Sequence, residues 1–296
     1  MEVVVIDSAS TDRTPEKVEE WARRNPGLKL VLIREPARRG KAFALNNALR
    51  YTNGEVVVVT DADSKWASRD TLSNAVVWLG DPSVGAVTCL KLPASKGVVG
   101  VEEGYREYYN VVRLAESKAR STPIFHGELA LFKKKLLEEL GGFPTSLGAD
   151  DSHTATRIAL MGYRSIAVDN AWCVESVPNN EYHKWRIRRA QHLVQHFAAI
   201  LRYLRRAPGE FRKILIAEAF LHVFNQWILL LATAILLYQA IKFSTTAVTL
   251  LALGAVLLVY RPYRTWIMTQ AYLVVASIRN LWTKEIAWEK QVKKEQ

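Results

Sequence analysis

Residues 55–64, Glu55-Val56-Val57-Val58-Val59-Thr60-Asp61-Ala62-Asp63-Ser64, read as a strand running into a polar turn. Consecutive valines are stiff at χ1 and favour extended backbone. A run apolar on both faces predicts a strand covered on both sides. Asp61 and Asp63 follow at its carboxyl end, the edge of an open α/β sheet where ligands bind. Two carboxylates one residue apart on a turning backbone offer hard oxygen donors to a divalent cation, and a cation there suits a phosphate ligand. The alternative is that both acids only cap the turn and the next helix.

Working toward the N-terminus, residues 28–33 and 2–6 are further strands. Residues 14–24 form a helix, with Thr14 as N-cap, Pro15 in the first turn and Asn25-Pro26-Gly27 as the stop. Arg38-Arg39-Gly40-Lys41 opens a second helix over 42–51. The order β-α-β-α-β predicts a parallel sheet with covering helices. Right-handed crossovers then put Asp7, Arg39–Lys41 and Asp61–Asp63 on one sheet edge. Lys41, beside a glycine at a helix start, suits a phosphate, although alone it reads equally as a solvated lysine.

Working toward the C-terminus, helices are expected over 70–79, 102–120 and 134–140, with strands over 84–91 and 164–168 and a loop over 93–100. Tyr105, Tyr108 and Tyr109 read as packing rather than sugar stacking. Gly141-Gly142-Phe143-Pro144 ends the third helix. Asp150-Asp151 precedes a helix over 152–161. Acids there complement the helix dipole; the functional alternative is a general base whose pKa an acidic neighbour raises.

The chain has 296 residues and a net charge of +11. Residues 1–182 are near neutral, at −1, whereas 183–296 carry +12. Basic residues flanking long apolar runs point to a membrane surface, and the near-neutral sheet region argues against nucleic acid. Two cysteines make no disulfide framework, and no zinc spacing or secretory pattern is present. The positively charged helix over 183–206 reads as lying in a membrane interface, or else as a surface helix packed on the domain. Residues 214–241 are long and apolar enough to span, and 247–260 form a second candidate, with one cation between them. That charge asymmetry predicts a hairpin with its bend outside and the sheet domain inside.

These pieces together resemble the membrane-bound, inverting family 2 glycosyltransferases, relatives of cellulose, chitin and hyaluronan synthases. The match covers nearly the whole chain. Val5 to Asp12 resembles the first nucleotide loop, and Arg39 to Asn46 the glycine-lysine-alanine segment beside the diphosphate. Thr60 to Asp63 resembles the metal-binding Asp-x-Asp. Phe125-His126-Gly127 through Gly141-Gly142-Phe143 resembles the acceptor side, and Ala149-Asp150-Asp151 stands in place of a Thr-Glu-Asp motif. The family sets a further strand before its first motif, whereas Met1 stands directly before the second strand. That predicts a start upstream or an incomplete nucleotide pocket. Of the Gln-x-x-Arg-Trp motif only Arg188 matches, and the absent Trp favours single-sugar transfer over polymer synthesis.

The resemblance implies an α/β fold: a GT-A type, Rossmann-like sheet flanked by helices, then an interfacial amphipathic helix and C-terminal transmembrane helices. It assigns residues 1–180 to a cytoplasmic catalytic domain, 181–212 to the interfacial helix and 213–262 to a transmembrane hairpin. Residues 263–296 become an interfacial or membrane-embedded helix with a basic cytoplasmic tail. Asp7 would contact the base; Lys41, Asp61 and Arg188 would serve the nucleotide sugar. Asp61 and Asp63 would hold Mg²⁺ or Mn²⁺, and Asp151 would be the base. The donor would be a UDP-sugar ahead of a GDP-sugar, and the acceptor a hydroxyl on a lipid-linked molecule or glycan, in polysaccharide or glycolipid synthesis. Two rivals stand beside this: transfer to a polyprenyl phosphate, which needs no base, and a degenerate, membrane-tethered nucleotide-sugar-binding partner.

Overall fold

The computed structural model describes residues 1–93, 99–175 and 181–284. The domain boundary expected near Pro178, residues 94–98 of the loop expected over 93–100 and the basic tail beyond Lys284 lie outside these residues, while Pro93 ends a strand and residues 99 and 100 open a helix. The chain opens with β1 (Glu2–Ser8), α1 (Thr14–Arg24), β2 (Lys29–Glu35), α2 (Lys41–Leu49) and β3 (Val56–Val59). α1 starts at Thr14 itself, one residue later in role than expected: the Asp12 carboxylate accepts from the Thr14 backbone N–H at 3.0 Å. Next come β4 (Lys65–Trp66), α3 (Thr71–Val76), β5 (Val84–Pro93), α4 (Val99–Ala119), β6 (Ala130–Lys133), α5 (Lys134–Leu140), α6 (Asp150–Leu160) and β7 (Arg164–Glu175).

The expected single parallel sheet is not what forms. β1 and β2 pair in parallel as a two-stranded sheet, while β3 joins a five-stranded sheet of order β3-β6-β5-β7-β4. In this sheet β6 runs antiparallel to both β3 and β5, β4 runs antiparallel to β7, and β5 with β7 is parallel. Its partner comes from some seventy residues further on, which local pattern cannot reveal. β3 is therefore an edge strand of its sheet, and Val58 is 36% exposed while Val57 and Val59 are buried. The core lies where α2, α5 and α6 cover one face, around Val57, Val59, Phe132, Leu136, Phe143 and Ile158. Asn46 on α2 locks this layer: its side chain accepts from Phe143 N–H at 2.7 Å and donates to Phe143 C=O at 2.9 Å. Gly142 has a positive φ of 92° and a Cβ there would lie 2.4 Å from Asn46 Oδ1, so glycine is required on both counts.

The remaining helices are α7 (Tyr182–Ile200), α8 (Gly209–Ala219), a π turn (Phe220–Phe224), α9 (Asn225–Ile241), α10 (Thr245–Leu257) and α11 (Arg261–Arg279). α7, expected as an interfacial helix or as one packed on the domain, is packed: twelve of its nineteen residues are buried, Arg186 and Arg188 among them. α11 covers one side of it through Leu273 and Ala276, and Phe197 packs with Ala219 of α8 on another. From Gly209 to Ile241 the chain is one 33-residue helix, long and apolar enough to cross a membrane, with most of its apolar side chains facing outward. At 1.5 Å per residue it is about 50 Å long. α10, at 13 residues, reaches only about 20 Å. The chain then bends by 106° into α11, whose Thr265, Thr269 and Gln270 are buried against the protein.

Candidate active site

A cleft of about 760 Å³ opens at the sheet edge, its wall including Gly40, Lys41, Asp61, Asp63, Asp150 and Asp151. The polar turn after β3 is held by the segment that leads into β6. Asp61 N–H donates to Gly127 C=O at 2.9 Å, and Thr60 Oγ1 donates to Glu128 C=O at 2.9 Å. That segment is held in turn by α6: Phe125 N–H donates to Ser152 Oγ at 3.0 Å. Three separate stretches of sequence thus close on one point.

At that point stands Lys41. Its Nζ lies 2.8 Å from Asp61 Oδ1 and 3.1 Å from Asp151 Oδ2. A Cβ on Gly127 would come within 2.6 Å of Lys41 Nζ, 2.7 Å of Asp61 Oδ2 and 2.9 Å of Asp151 Oδ2. Only a residue without a side chain leaves these groups where they are. Burial weakens the Lys41 ammonium, but Asp151, Asp150 and Asp61 overcome it and hold the group protonated, well above its ordinary range. Burial raises the Asp61 carboxyl; Lys41, helped by Lys91 and Arg189, turns the shift downward, so Asp61 is an anion. Burial also raises Asp151; Lys41 opposes this, and Asp61 and Glu128 add to it. Burial and the Asp151 charge push Asp150 up to about 7. An acidic pair with a raised proton affinity beside a fixed cation can accept a proton near neutral pH.

Of the sequence-predicted residues, Lys41, Asp61, Asp63 and Asp151 share the cleft wall. Asp7 does not: it is buried behind the wall, accepting from Ser10 N–H at 3.3 Å, and its neighbour Ser8 faces the cleft instead. Arg188 does not line the cleft either; Arg186 and Arg189 do. Arg186 and Arg189, three residues apart, share one face of α7, whereas Arg188 points away from it, and sequence alone could not choose between the faces. The Lys91–Glu128 ion pair, at 2.7 Å, is a further wall feature the sequence reading missed, because its partners stand 37 residues apart, one on β5 and the other in the turn before β6. Tyr105 and Tyr109, read as packing, also reach the wall.

A divalent cation here would take the Asp61 and Asp63 carboxylates as donors. No group of three or more His, Cys, Asp or Glu suited to a metal occurs among the described residues. The donor chemistry fits Mg²⁺ or Mn²⁺ only as a shell completed by ligand oxygens and water, which is what a diphosphate offers. Beyond the acids the cleft lining continues onto the C-terminal helices. There Arg186 is sandwiched between rings, 4.3 Å from Tyr105 and 5.4 Å from Tyr272. Arg113 and His222 lie on the same wall; Arg113 pairs with Glu116 at 2.5 Å and with Glu218 at 3.1 Å.

With this geometry in view, residues 1–141 match the profile of glycosyl transferase family 2. A mannosyltransferase from Pyrobaculum calidifontis, solved with GDP-Man and Mn²⁺, is 58% identical over 96% of this chain and 79% of that one, with a TM-score of 0.87. The chain belongs to glycosyl transferase family 2 and has the family's GT-A-like α/β fold. More distant relatives include the beta-monoglucosyldiacylglycerol synthase of Synechocystis, 28% identical over 55% of this chain and 34% of that protein. The poly-beta-1,6-N-acetyl-D-glucosamine synthase of Staphylococcus epidermidis is 27% identical over 64% of this chain and 47% of that protein. The chain thus spans between a third and a half of the length of these two relatives. The sequence-based preference for a UDP-sugar finds no support in the mannosyltransferase, whose ligand is GDP-Man.

Proposed function

We propose that this chain is a metal-dependent, inverting glycosyltransferase that moves one hexose, mannose in the first instance, from a guanosine diphosphate sugar to a hydroxyl of a membrane-associated acceptor. The observation that carries this is the convergence of Lys41, Asp61 and Asp151 around Gly127. Asp151 takes the proton of the acceptor hydroxyl as its oxygen attacks the anomeric carbon, and the nucleoside diphosphate leaves from the opposite face. Lys41 and Arg189 stabilise the charge on the departing diphosphate. Asp61 and Asp63 would hold Mg²⁺ or Mn²⁺, which adds positive charge at that diphosphate. The helix Gly209–Ile241 seats the protein in a bilayer, with the sheet domain on the cytoplasmic side. In support, Arg202, Arg205, Arg206, Arg212 and Lys213 precede or open the helix, while Lys242 alone stands between α9 and α10. The cleft reaches His222 on that helix, giving a lipid-borne acceptor a route to Asp151.

A polyprenyl phosphate acceptor is a second reading, favoured by the guanidinium groups of Arg106, Arg186 and Arg189 along the deep wall. The test is a panel of nucleoside diphosphate sugars with the full chain in detergent and in lipid vesicles, with and without Mn²⁺, scored by release of free nucleoside diphosphate. GDP from GDP-mannose, dependent on the metal, is the expected product. Turnover of no donor in the panel, with acceptor lipids supplied, refutes the reading.

A further inference from the structure

We propose that the ion pair Lys91–Glu128 reads hydroxyl groups of the transferred sugar and so sets which hexose the site accepts. This rests on the glycosyltransferase reading above. The pair is enclosed: the Lys91 side chain is 2% exposed and that of Glu128 12%, with Nζ and Oε1 2.7 Å apart. It nevertheless lies on the cleft wall. Glu128 follows Gly127 directly, so it begins one residue from the point where Lys41, Asp61 and Asp151 meet. Its backbone is fixed from two sides, since its C=O accepts from Thr60 Oγ1 at 2.9 Å and from Trp66 Nε1 at 3.1 Å. Lys91 is fixed by β5, where it stands opposite Cys173 of β7. Enclosing two charges is costly, and an apolar pair of similar volume would often serve stability as well. The chemistry fits a polyol. A carboxylate accepts from adjacent hydroxyls, an ammonium donates to another, and both are held rigid before the ligand arrives. A sugar whose diphosphate rests on Lys41 and on the cation that Asp61 and Asp63 would hold, and whose anomeric carbon faces Asp151, brings its ring hydroxyls toward this wall. Sites built to hydrogen-bond a substrate hydroxyl discriminate strongly against analogues that misplace it.

Binding of GDP, GDP-mannose and its epimer GDP-glucose to the full chain with Mn²⁺, by calorimetry, tests this without an acceptor. Glu128→Gln should leave GDP affinity within about twofold and weaken GDP-mannose by about 10- to 100-fold, the size expected for losing a charged hydrogen bond. The preference between the two sugars should narrow with it. The double variant Lys91→Met with Glu128→Leu, which strands no buried charge, should do the same. If all three ligands weaken in parallel, or the sugar preference is unmoved in both variants, the pair only braces β5 against the β6 segment and the proposal is overturned. If the unaltered chain binds neither GDP nor GDP-mannose, the donor reading itself falls, and this proposal with it. Retained GDP binding by the variants separates the two failures and shows that they fold.

Discussion

Replacing Gly127 by alanine places one methyl group at the convergence of the three charges. Its carbon would lie 2.6 Å from Lys41 Nζ, 2.7 Å from Asp61 Oδ2 and 2.9 Å from Asp151 Oδ2, where ordinary contact starts at 3.4 Å. Each group must retreat by between half and four-fifths of an ångström. All three atoms are ends of side chains, so they can move without unfolding the sheet, and the backbone at Gly127 is not left-handed. The expected stability change is therefore small, about 1 kcal/mol or less. Catalysis is less forgiving: a misplacement of about 1 Å at a reacting centre costs on the order of 10²-fold in rate. Metal-dependent GDP release from GDP-mannose by Gly127→Ala should fall by about that factor, with a melting temperature near that of the unaltered chain. A variant retaining more than about a third of the activity would refute the placement of the reaction at this point, since shifts of this size cannot be neutral there.

Asp151→Asn should lower turnover by about 10²–10⁴ with a hydroxyl acceptor while leaving GDP binding intact; unchanged turnover would favour the phosphate acceptor. Activity should fall as pH drops through about 7, where the acidic pair takes up its first proton, and Asp150→Asn should move that limb lower. The same shift has a stability sign. The folded-state affinity of Asp150 for its proton exceeds the unfolded one, so its contribution is whole below about 4 and lost as pH rises through about 7. Asp150→Asn should thus raise the melting temperature at pH 8 relative to the unaltered chain and have little effect at pH 4, read by thermal scans. Arg113→Met leaves Glu116 and Glu218 facing each other without their shared cation and should cost about 3–5 kcal/mol in denaturant unfolding. Adding Glu218→Gln to it should recover part of the loss.

The parts of this protein legible in its sequence are those in which chemistry sits next to the backbone signal that positions it. Asp61 and Asp63 follow a run of valines, Lys41 follows a glycine at a helix start, and Asp151 opens a helix; all four line the cleft. What escaped the sequence depends on pairings made over long separations. β3 takes its partner from β6, and the edge position of the strand decides that Val58 is exposed. α7 has the composition of an interfacial helix, yet α11, more than sixty residues later, covers it. Composition records only that its arginines need polar company. It does not say whether that company is water, lipid headgroups or the wall of a cleft, and Arg186 and Arg189, not Arg188, line the cleft.

The single helix from Gly209 to Ile241 begins beside α7 and carries His222 to the floor of the cleft. If it is seated in a bilayer as proposed, the height of Asp151 above the lipid surface is set by how α8 packs against α7, like a mark on a ruler. A substrate would then be chosen partly by stature. Headgroups too short to rise to the carboxylate would be passed over, whatever hydroxyls they carry.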